Sequence, residues 1–283
     1  MALYSCSLQV INSLRVLLVL GVFSSLGATA LDAPAWDASK SISAQEQRSA
    51  KVKDAVVGSN KDQDFSLYKL NYAILNDEDL LLQYSFKYRI LAEWYLAYTN
   101  LVLWDIYHEH LPAEDNNFMP ESFYRFMLDE GPLVSVDAGW FHRSNGEQGE
   151  VSRSWDRWQL RLNSMFEPAG KQLVWTTTLF SDIQKSKNNK DINEYLGPWE
   201  MNFAYRDVID WKNNELDLSF KLVPGDGWLN FEHGQRVIGL HYRQPFKAFK
   251  PTIFVQYFWG YGEVIRYYNQ KKESVRIGLS FHY

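Results

Sequence analysis

Trp199-Glu200-Met201-Asn202-Phe203-Ala204-Tyr205-Arg206 decides the fold class. Successive side chains of an extended strand point to opposite faces. Trp, Met, Phe and Tyr therefore share one face, and Glu, Asn, Ala and Arg share the other. Leu216-Asp217-Leu218-Ser219-Phe220-Lys221-Leu222 repeats the pattern. A soluble β-sandwich would alternate in the same way, so wider features must choose between the two.

Three features favour a membrane barrel. Segments of this kind recur at roughly 64–75, 80–91, 94–106, 121–129, 133–144, 152–166, 171–182, 198–208, 214–223, 226–243, 252–265 and 274–283, an even count, as single-chain bacterial barrels require. Their connections also alternate in length. Those near 107–120 and 183–197 are long and polar, while Asp129-Glu130-Gly131, Glu167-Pro168-Ala169-Gly170 and Trp211-Lys212-Asn213 are short, the expected contrast of outer loops and periplasmic turns. The connection near 75–79 is a short exception. Finally, Arg276-Ile277-Gly278-Leu279-Ser280-Phe281-His282-Tyr283 alternates up to a terminal aromatic. The sequence predicts an all-β protein, a 12-stranded antiparallel transmembrane β-barrel over residues 61–283.

Composition agrees. A chain of 283 residues suits one large β domain. Aromatic residues reach 16%, and the net charge of −5 speaks against a nucleic-acid partner held by bulk positive charge. Mean hydropathy is −0.35, and no apolar run past residue 30 is long enough for a membrane-spanning helix. A barrel survives this test, because lipid-facing and lumen-facing residues average to a polar chain. Arg15, the apolar run Val16–Phe23 and Ala28-Thr29-Ala30 read as a signal peptide, residues 1–30, cut after Ala30. Residues 31–60 read as a polar lead-in. The one cysteine, Cys6, falls in the signal, which leaves the mature chain without disulfide, thiolate or Cys-zinc chemistry.

The chemistry concentrates in His142-Arg143-Ser144-Asn145-Gly146-Glu147-Gln148-Gly149-Glu150-Val151-Ser152-Arg153-Ser154-Trp155-Asp156-Arg157. His142 and Ser144 are two apart and share a strand face. A serine nucleophile needs an imidazole to take its proton, and the imidazole needs an acid or amide to fix it. Asp156 serves if the next strand returns beside the first. Val134, Val136, Ala138, Trp140, His142 and Ser144 form an apolar set that should face lipid, with Asp156, Trp158, Leu160 and Leu162 on the same side. Arg157, Gln159, Arg161 and Asn163 should face the lumen, with Asp137, Arg157 and Arg161 in salt bridges. Polar groups facing lipid are usually functional. A hydrolase placed there would take the lipid itself as substrate.

His142-x-Ser144-Asn145-Gly146 followed by Ser152-Arg153-Ser154-Trp155 resembles the signature of the outer membrane phospholipase A family. Tyr98-Thr99-Asn100 with Trp104, Gly260-Tyr261-Gly262-Glu263 and Tyr267-Tyr268-Asn269 add weaker likeness. The resemblance implies a calcium-dependent phospholipase in the bacterial outer membrane, its site toward the outer leaflet, cleaving both acyl esters of phospholipids and lysophospholipids. It implies Ser144 as nucleophile, His142 as general base, and the Gly146 N–H in the oxyanion hole. Asp156 takes a position where the family usually carries Asn. The calcium ligands would be the Ser152 hydroxyl and the Glu147 backbone carbonyl, with a further one from 111–118 of a second subunit, Asp115 or Asn116 in this chain. The family is active as a homodimer. A lipid A deacylase and a non-enzymatic, porin-like barrel stand as the alternatives.

Overall fold

In the computed structural model, residues 64–107, 113–128, 130–211, 214–243 and 252–281 are described. The expected signal peptide, the lead-in, the Lys212-Asn213 turn and the last two residues lie outside them. The strands are β1 (Phe65–Leu67), β2 (Asn71–Leu75), β3 (Leu80–Leu91), β4 (Trp94–Trp104), β5 (Ala113–Met127), β6 (Leu133–Ser144), β7 (Ser154–Phe166), β8 (Leu173–Lys185), β9 (Trp199–Trp211), β10 (Asn214–Val223), β11 (Gln235–Arg243), β12 (Thr252–Gly260) and β13 (Lys272–Phe281). From β2 onward each strand pairs antiparallel with the next, and β13 returns to β2 with Ile277 opposite Leu75. Closure of β13 on β2 joins the two ends of the sheet, so the staves satisfy their backbone within the protein, with β1 pairing on its β3 side alone among the described residues.

The barrel has twelve staves because β1 and β2 both pair with β3 and together make the first. Residues 64–75 are thus not one continuous strand. Tyr68, Lys69 and Leu70 interrupt it, and Asn71 covers the gap. The Asn71 side chain accepts the Ser85 N–H and donates to the Ser85 carbonyl at 3.3 Å. The break turns Tyr68 and Lys69 onto Glu121 in the lumen.

β5 starts at Ala113, so most of the loop expected over 107–120 is strand. Glu114-Asp115-Asn116-Asn117 looks like loop in one dimension, but partners in space satisfy it. Asn117 Oδ1 accepts from Arg143 and from the Ile265 N–H, and Asp115 Oδ2 accepts the Arg266 N–H at 2.9 Å. Strands expected over 226–243 and 252–265 are shorter, β11 beginning at Gln235 and β12 ending at Gly260. Residues 133–144 and 214–223 are strands at the expected bounds.

Alternation sorts the side chains. Tyr88, Leu96, Phe126, Trp158, Leu160, Val275 and Ile277 are exposed on the outer wall. From neighbouring positions on the same strands, Glu121, Arg125, Asp137, Arg161 and Arg276 are buried inside. This inverts a soluble protein and suits a wall that meets hydrocarbon. Val134 departs from its expected outward face. The β6–β7 register slips between Leu133 and Ser135, and this bulge buries Val134 against Met165.

Ion pairs line the lumen along β5, β6 and β7. Arg125 holds Asp137 through two bonds of 2.7 Å, and Arg161 bridges Glu121 at 2.9 Å and Asp137 at 3.5 Å. Glu121 also accepts from Tyr68, Lys69 and Gln159. Arg157 is a different case. Its guanidinium is sandwiched 3.6 Å from the ring centroids of both Trp155 and Phe180, and no salt bridge to it occurs among the described residues. A cavity of about 470 Å³ remains among these side chains.

Candidate active site

The register of β6 against β7 sets His142 directly opposite Asp156 and Ser144 opposite Ser154. Directly paired residues on one sheet face bring their side chains within contact. Here His142 Nδ1 donates to Asp156 Oδ1 at 2.9 Å. The side chains of the pair are 22% and 24% exposed, on the outer wall beside Trp158. The lumen lies behind them, where Phe141 and Arg157 point inward. Ser144 is the next outward residue of β6 after His142. The bond to Asp156 engages Nδ1, so Nε2 is the imidazole nitrogen available to the Ser144 hydroxyl. Among the described residues no hydrogen bond yet joins the two.

Trp140 belongs to the same face and was expected only as apolar filling. Its indole N–H donates to Asp156 Oδ1 at 3.1 Å, and its ring stacks on His142 with centroids 5.8 Å apart.

The β6–β7 loop, residues 145–153, is built around buried Asn145. Asn145 Oδ1 accepts the Arg153 N–H at 2.9 Å, and Asn145 Nδ2 donates to the Val151 carbonyl at 2.9 Å. One side chain thereby cross-links both ends of the loop. Gly146 follows at φ +68°, and a Cβ there would meet Phe118 Cε2 at 2.9 Å. Only glycine takes this backbone without strain. No described residue accepts the Gly146 N–H, which is free to meet an external oxygen.

Glu147 is exposed and Ser152 half-buried at the rim of this loop. Among the described residues, neither the Glu147 carbonyl nor the Ser152 hydroxyl takes a hydrogen bond. Two unclaimed oxygens on one short loop suit a hard cation. No cluster of three or more His, Cys, Asp or Glu side chains occurs among the described residues, so such a site would depend on carbonyl and hydroxyl ligands. Asp115 is buried and faces inward, whereas Asn116 lies on the outer wall and accepts from Asn100 Nδ2 at 2.6 Å. Of the two, Asn116 shares a wall with Ser144.

The β8–β9 connection steadies the far strand. Asn188 donates to the Gly149 and Ser152 carbonyls, and Asn189 pairs with the main chain of Ser154. Farther along the rim, Tyr268 donates to Asp191, and burial raises its phenol pKa, so it stays a donor. Asn189 carries no signal in the sequence that separates it from an ordinary loop asparagine, whereas Asn145 stands in the His-x-Ser-Asn-Gly pattern, which does not disclose that its side chain ties the loop together.

The arrangement offers a hydroxyl, an imidazole fixed by a carboxylate, and a free backbone N–H nearby. These are the parts of acyl transfer.

A family model described as Phospholipase A1 matches residues 46–281. A Phospholipase A1 of Proteus vulgaris is 28% identical over 228 residues, 78% of this chain and 70% of its own length. A Phospholipase A1 of Salmonella typhimurium is 28% identical over 189 residues, 65% of this chain. The chain spans 60% of that relative, and 54% of a Neisseria meningitidis relative that is 29% identical. Among solved structures, the outer membrane phospholipase A of Escherichia coli shares the fold with a TM-score of 0.66 and 23% identity, covering 77% of this chain and 94% of that one. The Salmonella typhi outer membrane phospholipase dimer with bound calcium gives 0.68 and 22%, covering 80% and 96%.

Proposed function

The chain belongs to the phospholipase A1 family, and from that premise we propose that it is an outer-membrane hydrolase of phospholipid acyl esters, working through Ser144, His142 and Asp156. The His142–Asp156 hydrogen bond on the outer wall, with Ser144 on the same face, carries the reading. In a soluble protein such a trio would open into a cleft. On the wall of a barrel its natural substrate is a lipid drawn from the surrounding leaflet.

Ser144 Oγ gives its proton to His142 Nε2 and attacks the ester carbonyl. Asp156 holds the imidazole in its Nδ1–H form and balances the charge it gains. The Gly146 N–H donates to the oxygen that becomes negative. His142 then returns its proton to the departing glycerol oxygen, and water, activated by the same imidazole, releases the acyl chain from Ser144. Cleavage at both glycerol positions, and of lysophospholipids, needs only that either ester reach Ser144.

The Glu147 carbonyl and the Ser152 hydroxyl would hold calcium. The ion would add positive charge where the ester oxygen becomes negative. A second copy of the chain would complete this site through the outer wall around Asn116, and we propose the homodimer as the active state. The contacts that reach across the lumen from the break between β1 and β2, Tyr68 to Arg161 and Lys69 to Glu121, speak against an open, porin-like channel.

The test is ester release from mixed phospholipid–detergent micelles by purified protein, with and without calcium. Wild type is expected to hydrolyse and S144A to insert normally with no hydrolysis. Retained activity in S144A overturns the mechanism, and activity on lipopolysaccharide alone would favour a lipid A deacylase.

A further inference from the structure

We infer that Trp140 is a positioning residue of the site, holding Asp156 and His142 together on a lipid-facing wall; this rests on the esterase reading above. Three observations meet in one side chain. The indole N–H reaches Asp156 Oδ1 at 3.1 Å, the same oxygen that His142 Nδ1 meets at 2.9 Å. The indole ring lies against the imidazole, 5.8 Å between centroids and 26° from parallel. Trp140, His142 and Ser144 follow one another along the outer face of β6, with Asp156 across the ladder from His142.

The chemistry of residue 156 explains why this chain needs such a residue. An amide there would bring its own donors. A carboxylate is acceptor-only and charged. Facing hydrocarbon, it is costly unless donors surround it. The Trp140 N–H supplies a second donor beside His142, fixes the carboxylate rotamer, and so fixes which imidazole nitrogen carries the proton.

The stacked ring acts on the other partner. Imidazole becomes imidazolium as Ser144 is deprotonated, and an indole face attracts a cation more than a neutral ring. An interaction stronger in the charged state lowers the barrier rather than merely binding substrate. The effect therefore belongs to turnover and not to substrate affinity.

W140F keeps a ring and loses the N–H; W140Y is a second variant of the same kind should W140F not insert. Both are compared with wild type, D156N and the double variants in phospholipid micelles, with heat-modifiable gel mobility to show insertion. W140F should lower kcat about ten-fold, as loss of one hydrogen bond to a charged group does, with KM unchanged. In the D156N background the same change should cost several-fold less. A second readout does not depend on turnover: the imidazole Nδ1–H resonance of His142, followed by NMR, should shift and exchange faster with water in W140F, because the carboxylate that holds this proton is no longer fixed, and should change less when W140F is added to D156N. An equal loss in both backgrounds, a change confined to KM, or an unaltered Nδ1–H signal overturns the inference. Absence of hydrolysis by wild type would instead sink the esterase reading, and the Nδ1–H signal would still decide the role of Trp140.

Discussion

Asn189 grips Ser154 by both of its main-chain groups, accepting its N–H at 3.2 Å and donating to its carbonyl at 3.1 Å. Ser154 stands opposite Ser144 at the outer end of the β6–β7 ladder. A residue of the next loop thus finishes a ladder that the strands cannot finish alone. Asn189 is fully buried, so water does not take its place.

Replacing this residue tests the arrangement. N189A leaves the Ser154 N–H without its partner, at about 1–3 kcal/mol, while the Ser154 carbonyl keeps the Ser186 N–H at 2.9 Å. Lower thermal stability and weaker ester hydrolysis are expected together, since Asp156 lies two residues further along β7. Thermal melting in detergent and the micelle assay on one preparation check both.

Asp156→Ala should insert and remain folded but lose roughly 10²- to 10⁴-fold in kcat, because the imidazole loses the partner that orients it. D156N, which keeps an acceptor for His142, should lose far less. Equal losses in the two variants would show that residue 156 does not orient His142.

Gly146→Ala combines two penalties, a left-handed backbone at φ +68° and a Cβ 2.9 Å from Phe118. The backbone part costs about 1 kcal/mol and is not relieved by making space. G146A should therefore depress turnover, and F118A in the same chain should restore only part of it. Full restoration would mean that the crowding, not the backbone, sets the position of the Gly146 N–H.

Calcium removal should abolish hydrolysis and leave the barrel intact, because the barrel closes through its own backbone ladder. Excess chelator with a gel-mobility control separates the two effects. S152A should shift the calcium concentration needed for half-maximal activity upward, with little change at saturating calcium.

E121Q probes the lumen. Glu121 accepts from Tyr68, Lys69, Gln159 and Arg161 with a fully buried side chain. Removing its charge leaves buried Arg161 with Asp137 alone at 3.5 Å and takes the carboxylate from the partly exposed Lys69, a loss below the roughly 3–5 kcal/mol of a fully buried broken pair. Resistance to urea should fall while KM for phospholipid holds.

The sequence carried a good deal of this. Period-two alternation gave the strand class, and the bounds of β6 and β10 follow it because a run of apolar residues marks the outward face, Val136, Ala138 and Trp140 in β6 and Leu216, Leu218, Phe220 and Leu222 in β10. The spacing of His142 and Ser144 put them on one face, and parity assigned Asp156 to the same side. Where polar residues line both faces, the pattern failed: Ala113–Asn117 read as loop, yet it is strand, because Arg143 and residues 265–266 take up its hydrogen bonds. The bulge that turns Val134 inward also leaves no mark on alternation, since one slipped residue preserves the composition of the segment.

By itself the sequence determined what is local and periodic: the all-β class, the inside and outside of each regular strand, and the grouping of a hydroxyl and an imidazole. Only the tertiary structure decided register. Which residue stands across from His142, which loop completes Ser154 and which indole reaches Asp156 all depend on pairings between residues 14 to 35 positions apart. Alternation repeats every two residues, so it fixes a face but does not distinguish one position along that face from the next; the closed ladder and its packed lumen make that choice.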